Sequence, residues 1–304
     1  MSSELRAPTL EDLPALIEFF DGLRSRYDVQ VISEEELRND LGRRQQAVAE
    51  NYRIALDDGR VSGWVSVWFP EGQRDRGYFT PRALPRDGRL YAQLLDWVEG
   101  RLRSIGGGGP MRAQASAEPD DEPLLEELRR RGYERARHFF EMEIDLADEP
   151  EQPRWPEGLA LRAFEPEDAR RVYDANMEAF EDHWDPFHVG FEEWRDFFLG
   201  RPDFDPELWF LAEDEDELAG FSLCSLRDAG TVGWVHVLGV RRPWRRRGLA
   251  TALLLQSFRA LRAQGCAKAR LNVDGENLTG AVRLYEQAGM HVARRSERHS
   301  KELC

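Results

Sequence analysis

Apolar and polar positions in the C-terminal half of the chain predict a buried strand, a polar turn and an amphipathic helix in direct succession. Residues 234–240, WVHVLGV, are mostly apolar and rich in valine, which is typical of a strand buried in a sheet. Beyond the turn, apolar side chains recur at helical spacing from Leu249 to Leu261. The turn itself contains Arg245, two further arginines and Gly248. The pattern therefore predicts a helix that begins shortly after a buried strand.

The same order of elements occurs twice along the chain. The repeated segments are a short strand before an acidic helix start (5–12 and 161–168), a hairpin (52–69 and 208–226) and a glycine turn leading into a strand (128–146 and 285–303). Residues 148–158 are rich in proline and charge, as linkers are. The sequence predicts an α+β fold with two tandem domains, residues 1–150 and 156–304, each a mixed, mostly antiparallel sheet flanked by helices.

The turn before the second-half helix has the chemistry of an anion cradle. Gly248 and Ala250 allow a ligand to approach the backbone closely, and the first turn of a helix offers unpaired N–H groups at the positive end of its dipole. We assign pyrophosphate binding to seven consecutive residues: Arg245, Arg246, Arg247, Gly248, Leu249, Ala250 and Thr251. By itself the short R-x-x-G-x-A string also fits a solvated, arginine-rich helix end.

Two motifs, in this order, resemble the GNAT N-acetyltransferase superfamily. The first is Leu238-x-Val240 followed by R-x-x-G-x-A, and the second is NLTGAVRLYEQAGM from Asn277 to Met290. The resemblance implies two tandem GNAT-like domains, as in the mycothiol synthase group, with acetyl-CoA as co-substrate. It implies that the backbone of Leu238 and Val240 pairs with the pantetheine arm and that Asn277 binds the same arm. It also places Tyr285 at the general-acid position, although a buried aromatic on an amphipathic helix would show the same pattern.

His236 is the candidate general base. Members of the superfamily often carry a glutamate on the fourth strand, which this strand lacks. Strand alternation predicts that Trp234, His236 and Leu238 share one face, where His236 is the titratable group. A histidine buried in the core is the plain alternative. Other candidates are the acids Glu181, Asp182 and Asp185 with His183, a chain of water molecules, or no base.

The acceptor site is expected in residues 179–198, which are dense in aromatic and acidic side chains. Such a lining suits a cationic amine with an apolar body. The residues assigned to substrate binding are Glu181, Asp182, Trp184 and Asp185. Phe191, Trp194 and Phe198 are spaced as a helix stripe that faces the core, so the preceding stretch from Phe180 to Phe187 is the better pocket candidate.

The first half of the chain lacks the key residues at the corresponding positions. Pro85 stands opposite Arg245, Leu90 opposite Ala250, Leu128 opposite Tyr285 and Asp120 opposite Asn277. Proline cannot donate an N–H, and leucine would crowd a phosphate. The sequence therefore predicts a degenerate first domain that is structural or shapes the substrate site. A weak or altered cofactor site is the alternative.

Composition limits the partners. The 304 residues carry a net charge of −15, with 57 acidic against 42 basic side chains, which disfavours nucleic acid and anionic membrane surfaces. Cys224, Cys266 and Cys304 show no metal or disulfide spacing, and the chain contains no apolar run of membrane-spanning length. We expect a cytoplasmic protein without metal, nucleic acid or membrane partners, either a monomer or a homodimer.

Together these features predict an N-acetyltransferase that moves an acetyl group from acetyl-CoA to a primary amine, most simply of a small molecule, by direct attack in a ternary complex. Acetylation of a cysteinyl sugar, as in mycothiol synthase, is one alternative. A non-catalytic module that binds acyl-CoA for regulation is another. The sequence does not measure pocket depth, so a longer acyl chain is also open.

Overall fold

The computed structural model describes residues 3–70, 73–186, 189–277 and 280–303. The chain forms two compact units, one of Met1–Phe139 with Arg295–Cys304 and one of Phe140–Arg294. These units differ from the boundaries predicted from the sequence, because one central strand and the last strand each run across a unit boundary. The proline-rich segment at 148–158 consequently lies inside the second unit.

The described part of the chain contains both strands and helices, with three helices and then four strands in uninterrupted succession in its first half. The strands are β1 (Glu4–Arg6), β2 (Tyr52–Asp57), β3 (Arg60–Trp68), β4 (Arg76–Phe79), β5 (Arg82–Ala83), β6 (Met111–Ala117), β7 (Glu134–Asp145), β8 (Leu159–Ala163), β9 (Phe204–Asp214), β10 (Glu217–Arg227), β11 (Val232–Val240), β12 (Lys268–Asp274) and β13 (His291–Leu303). The helices are α1 (Leu13–Tyr27), α2 (Glu34–Arg43), α3 (Gln45–Asn51), α4 (Gly88–Gly106), α5 (Glu122–Arg130), α6 (Ala169–Phe180), α7 (Phe191–Phe198), α8 (Leu249–Ala263) and α9 (Ala281–Gln287).

The first unit is built on a sheet in the order β1-β2-β3-β4-β6, with β5 also paired to β3. Its pairs are antiparallel except β4 with β6, which is parallel. The C-terminal part of β13, Glu297–Leu303, completes this sheet by pairing antiparallel with Met111–Ala117. The long helix α4 packs on it through Leu94, Leu95, Val98 and Leu102, which are fully buried.

The second unit repeats this arrangement. Its strands follow the order β8-β9-β10-β11-β12, with the end of β7 beside β12, and β11 and β12 form the parallel pair. The two units also repeat a local ion pair, because Arg6 binds Asp12 and Arg162 binds Asp168 through two hydrogen bonds each. The predicted fold class, tandem α+β units with mostly antiparallel sheets, is confirmed.

Helix α8 packs on the second sheet because its buried face is apolar at helical spacing. Leu253, Phe258 and Leu261 are fully buried in it, as the sequence pattern predicts. Gly233 on β11 makes close packing possible, since a Cβ atom there would lie 2.5 Å from the Leu261 Cδ1 atom. The helix is thereby held against β11, and its N-terminus follows shortly after the end of that strand.

Two features are absent from the described residues. Among these residues no helix combines the length and apolar character needed to cross a membrane. Within the same part of the chain, no group of histidine, cysteine and acidic side chains is arranged to hold a metal ion.

Candidate functional site

Strands β11 and β12 separate part-way along their length. Their parallel pairing covers only Val232–Trp234 with Lys268–Arg270. On the other side, β11 remains paired with β10 all the way to Val240. The backbone from Val235 to Val240 therefore has a neighbouring strand on one side only, and the second side of β11 is an open edge.

The separation coincides with a bulge at His236. In the antiparallel pairing, Leu223 lies opposite Val237 but the next residue, Cys224, lies opposite Val235. His236 is therefore an extra residue on β11, and a bulge of this kind interrupts the alternation of side chains. The prediction that Trp234, His236 and Leu238 share one face is wrong for this reason.

Packing on either side of the bulge confirms the change of phase. Val235 packs with Leu254 and Phe258 of α8, whereas Val237 packs with the cluster of α6 and α7. Leu238, on the opposite phase from Val237, is half-buried against the α8 side. A uniformly alternating strand would have placed Val235 and Val237 on the same face.

Main-chain groups of Leu238 and Val240 face the open edge. The N–H of Arg241 donates to the Ala219 carbonyl at 3.0 Å, so odd-numbered residues beyond the bulge direct their backbone groups to β10. Those of Leu238 and Val240 point the other way. The Val240 carbonyl indeed accepts from Arg245 Nε at 3.1 Å on that side. The Leu238 N–H and carbonyl and the Val240 N–H are the groups that the edge offers to a ligand.

The start of α8 provides a second set of donors. Gly248 is the N-terminal cap, with φ +85°, and Arg246 also has a left-handed backbone, with φ +62°. No described side chain accepts a hydrogen bond from the N–H groups of Leu249, Ala250 and Thr251 in the first turn. Unpaired N–H groups at the positive end of a fifteen-residue helix can bind a phosphate group, and phosphate binding at this helix start stays a prediction.

The three arginines of this turn have different environments. The guanidinium of Arg245 donates to the Val240 and Ala179 carbonyls and to the Asp182 carboxylate, and so joins these groups. Arg246 and Arg247 are exposed and form no hydrogen bond or ion pair with the described part of the chain. The structure thus gives Arg245 a role in fixing the turn, while the side chains of Arg246 and Arg247 are available to phosphate oxygens.

Tyr285 lies on α9 and is buried, with 8% of its surface exposed. Burial raises the pKa of its hydroxyl to about 12. No hydrogen bond joins this hydroxyl to the described residues. Tyr285 therefore carries its proton at neutral pH.

Asn277 is half-buried just after β12, and its N–H donates to the Asp274 carbonyl at 3.1 Å.

His236 is half-buried and hydrogen-bonded through Nε2 to Ser225 Oγ at 2.8 Å. Burial, together with the guanidinium groups of Arg227 and Arg201, lowers the pKa of His236 to about 3, although the nearby Asp203 opposes the shift. The imidazole is neutral at pH 7, but with so low a pKa it is a weak proton acceptor. General-base catalysis by His236 stays a prediction, which this environment makes less favourable.

The predicted acceptor residues divide into two groups. Glu181 and Asp182 are exposed and pair with Arg242, at 3.0 and 2.7 Å. Hydrogen bonds from Arg242 and then Arg245 lower the pKa of Asp182. These carboxylates thus hold the turn before α8. Asp185 is buried and Trp184 half-buried, whereas Phe187 lies outside the described residues.

The aromatic stripe on α7 is part of the core, as predicted. Trp194 is 1% exposed, and Phe191 and Phe198 pack partly buried around the same cluster. Phe180, at the end of α6, is 38% exposed. Phe180 is therefore not part of the buried stripe, and the assignment of the acceptor surface to the stretch that it begins stays a prediction.

The corresponding helix start and strand of the first unit differ from those of the second unit. The Asp87 carboxylate caps α4 by accepting from the Leu90 N–H at 2.9 Å, so an internal anion occupies this helix start. In the first unit Ala83 pairs with Gly63, and in the second unit Val240 pairs with Gly220. Two residues before each of these pairs, the first unit therefore has Pro81 and the second has Leu238. Proline has no N–H to offer.

Strand β5 of the first unit also carries a buried arginine. Arg82 is 9% exposed and donates to the Glu118 carboxylate at 2.8 Å. In the second unit, Gly239 stands at the position that corresponds to Arg82 and has no side chain. The Asp87 cap and this ion pair are contacts in which the first unit differs from the second, and its predicted lack of a cofactor site stays a prediction.

Replacement of the cap gives a first test. We expect Asp87→Ala to lower the free energy of unfolding by about 1 kcal/mol, because the Leu90 N–H loses its partner. The number of acetyl-CoA molecules bound per chain should not rise, because Pro81 still lacks an N–H and Arg82 still stands where the second unit has Gly239. Chemical denaturation and calorimetry measure the two effects. A second equivalent of bound acetyl-CoA would show that Asp87 alone closes a functional site.

Several residues with a part in these contacts were not found from the sequence. Ser225 and Asp203 become connected to His236 only through the fold, and no motif marks them. Asp87 did carry a signal, because an aspartate three residues before the leucine whose N–H it accepts is typical of a helix cap. Arg242 was not singled out within its arginine-rich surroundings.

Comparison with known proteins gives a consistent set of relatives. Residues 169–290 match the family described as Acetyltransferase (GNAT) family. The chain is 37% identical over 266 residues to a mycothiol acetyltransferase of Streptomyces scabiei, covering 81% of this chain and 82% of that protein. It is 35% identical over 201 residues to a mycothiol acetyltransferase of Streptomyces avermitilis, covering 66% of this chain and 61% of that protein.

Solved structures show the same architecture over nearly the whole chain. A GCN5-related N-acetyltransferase from Sphaerobacter thermophilus superimposes with a TM-score of 0.81 at 30% identity, covering 98% of this chain and 95% of the other. A tandem GNAT protein from the clavulanic acid biosynthesis pathway has a TM-score of 0.74 at 15% identity, with 98% of each chain covered. The second similarity concerns the fold alone.

Proposed function

This chain belongs to the GNAT acetyltransferase family, and from that premise we propose that it transfers an acetyl group from acetyl-CoA to the primary amine of a small molecule. The general activity, acyl transfer, follows from the family. The observation that supports a working site is the combination of an open β11 edge with an uncapped start of α8. Both lie in the second unit, within the segment that matches the family.

Binding of acetyl-CoA is proposed to use the two sets of main-chain donors. The pyrophosphate would accept from the N–H groups of residues 248–251, with Arg246 and Arg247 contributing charge. The pantetheine arm would pair with the backbone of Leu238 and Val240 as an added strand. A strand N–H near the bulge would also stabilise the oxyanion that forms when the thioester is attacked.

The reaction needs a neutral amine and a proton for the departing sulfur. The amine nitrogen attacks the carbonyl carbon, a C–N bond forms and the C–S bond breaks. Tyr285 would donate its hydroxyl proton to the leaving thiolate, and the proton released from the attacking nitrogen would restore Tyr285 through solvent. A thiol has a pKa of about 8.5, whereas burial raises the pKa of Tyr285 to about 12, so proton transfer from the phenol to a free thiolate is uphill. The transfer would therefore occur as the C–S bond breaks, coupled to loss of the proton from the attacking nitrogen.

The relatives narrow the choice of amine. Two curated relatives are mycothiol acetyltransferases, which favours a cysteinyl sugar as the second candidate acceptor. Strand β11, the fourth strand of the second unit counted from β8, contains no aspartate or glutamate. Acetylation of a cysteinyl sugar would therefore have to proceed without a glutamate on this strand. A non-catalytic module is less consistent with a buried, protonated Tyr285 and an uncapped start of α8 in the same unit.

The first unit is proposed to have a structural or substrate-shaping role. Its helix start is occupied by Asp87, and Pro81 replaces a backbone donor. The prediction is one acetyl-CoA site per chain.

A panel of amines tests the activity. Release of free thiol from acetyl-CoA should rise with a small primary amine, with cysteinyl-glucosamine, glucosamine and short peptides as probes. We expect saturable release with at least one small amine and little with a peptide amine. Acetyl-CoA that binds but gives no thiol release with any amine would support the regulatory module instead.

A further inference from the structure

A short chain of hydrogen bonds in the second unit ends on His236. Arg201 Nε donates to Asp203 Oδ1 at 2.8 Å and its Nη2 to Oδ2 at 2.9 Å. Ser225 Oγ donates to Asp203 Oδ2 at 2.8 Å and lies 2.8 Å from His236 Nε2. Ser225 is 3% exposed, so these bonds are shielded from water.

The positions of the protons follow from the number of donors. Burial opposes ionisation of Asp203, but the two bonds from Arg201 hold the pKa of this carboxyl below its usual value, and the resulting carboxylate only accepts. The one hydroxyl proton of Ser225 therefore points to Asp203. Ser225 Oγ can then only accept from the ring, which requires a proton on His236 Nε2. In a neutral imidazole, Nδ1 is left with a lone pair.

His236 is the extra residue of the bulge, two residues beyond Trp234, the last residue of β11 that pairs with β12. His236 Nδ1 accepts no hydrogen bond from the described residues. The charged groups around the ring are Arg201, Arg227 and Asp203, and Arg227 stacks at 4.4 Å on the ring of Trp234. Two guanidinium groups near the ring disfavour a cationic ligand, whereas an N–H of a neutral amine complements an acceptor atom.

We propose that His236 Nδ1 accepts a hydrogen bond from the attacking amine, and that Asp203 and Ser225 are positioning residues that fix the ring for this contact. The inference rests on the proposed acetyl transfer. A neutral amine is the form that can attack a thioester, so the same contact would orient the nitrogen and select its reactive form. Nδ1 would accept without removing the proton from the amine.

The tautomer can be read directly from the complete protein. Two-bond ¹H–¹⁵N correlation spectra at pH 7 distinguish a ring protonated on Nε2 from one protonated on Nδ1, and a His236→Gln variant assigns the signals. We expect a single Nε2–H tautomer in the wild type and a mixture of tautomers in Ser225→Ala. A ring protonated on Nδ1, or on both nitrogens, would overturn the proposal.

Kinetics then test the contact with the amine. With cysteinyl-glucosamine as probe, Ser225→Ala should lower kcat/KM for the amine about tenfold, while KM for acetyl-CoA stays within about twofold. Ser225→Thr, which keeps a hydroxyl, should recover most of the loss. Ser257→Ala is the matched control, because it removes another fully buried hydroxyl from the same unit without contacting His236.

The outcomes separate the two levels of inference. Equal kcat/KM for the amine in wild type and Ser225→Ala would refute the positioning role, as would an equal loss in Ser257→Ala. If the wild type acetylates none of the probe amines, the proposed function fails. The tautomer in the spectra would still decide whether the hydrogen-bond chain fixes the ring.

Discussion

Tyr285→Phe is expected to lower kcat about 100-fold while leaving the Kd for acetyl-CoA within about threefold, because a general acid contributes at least this factor. The change removes one hydroxyl that makes no hydrogen bond with the described residues, so the fold should lose little stability. Since burial raises the pKa of Tyr285 to about 12, its hydroxyl stays protonated well above neutral pH. The wild-type rate should therefore show no alkaline loss from Tyr285 near pH 10.

A matched tyrosine variant controls for loss of a hydroxyl as such. Tyr52 in the first unit is half-buried and donates to Asp40 at 2.8 Å, so Tyr52→Phe removes a hydrogen bond far from the proposed chemistry in sequence. We expect a loss of about 1 kcal/mol in stability and an unchanged kcat. An unchanged kcat in Tyr285→Phe itself would remove the acid from the mechanism.

Gly248→Val is expected to weaken acetyl-CoA binding by roughly 100-fold. Gly248 has φ +85°, which a β-branched residue adopts only with strain, and relaxation of that strain would turn the first N–H groups of α8 away from the phosphates. Loss of two charge-assisted hydrogen bonds accounts for an effect of this size or more. Titration calorimetry measures it.

Gly265→Val separates strain from binding. Gly265 follows the other end of α8, has φ +90° and, like Gly248, has open space where a Cβ atom would lie. Both variants should lose about 1–3 kcal/mol of stability. Only Gly248→Val should lose acetyl-CoA affinity, and equal affinities for the two variants would contradict a cradle at the start of α8.

Periodicity was sufficient to predict the elements around the site. The apolar run of β11, the helical spacing in α8 and the glycine between them each depend on local preferences, and the structure places all three as predicted. The same holds for Trp194 and its neighbours, whose spacing predicts a buried stripe on α7. Tandem organisation was visible because each unit repeats its local patterns.

Features that depend on strand register were not predictable in the same way. A bulge adds one residue without a marker in the sequence. Simple alternation therefore predicted that Trp234 and Leu238 share one face, whereas the bulge puts them on opposite faces. The pairing of β13 with β6 likewise joins residues far apart in the chain, and a strand of mixed polarity does not specify its partner. Arg245 was assigned to pyrophosphate binding from its motif, whereas its guanidinium donates to the Val240 and Ala179 carbonyls.

The central claim is that one acetyl-CoA molecule binds per chain, at the uncapped start of α8. Calorimetric titration of the complete protein with acetyl-CoA tests it most directly, with Gly248→Val measured in parallel. The account predicts a stoichiometry of one and loss of the binding heat in the variant. Two equivalent sites per chain, or unchanged binding by Gly248→Val, would contradict it.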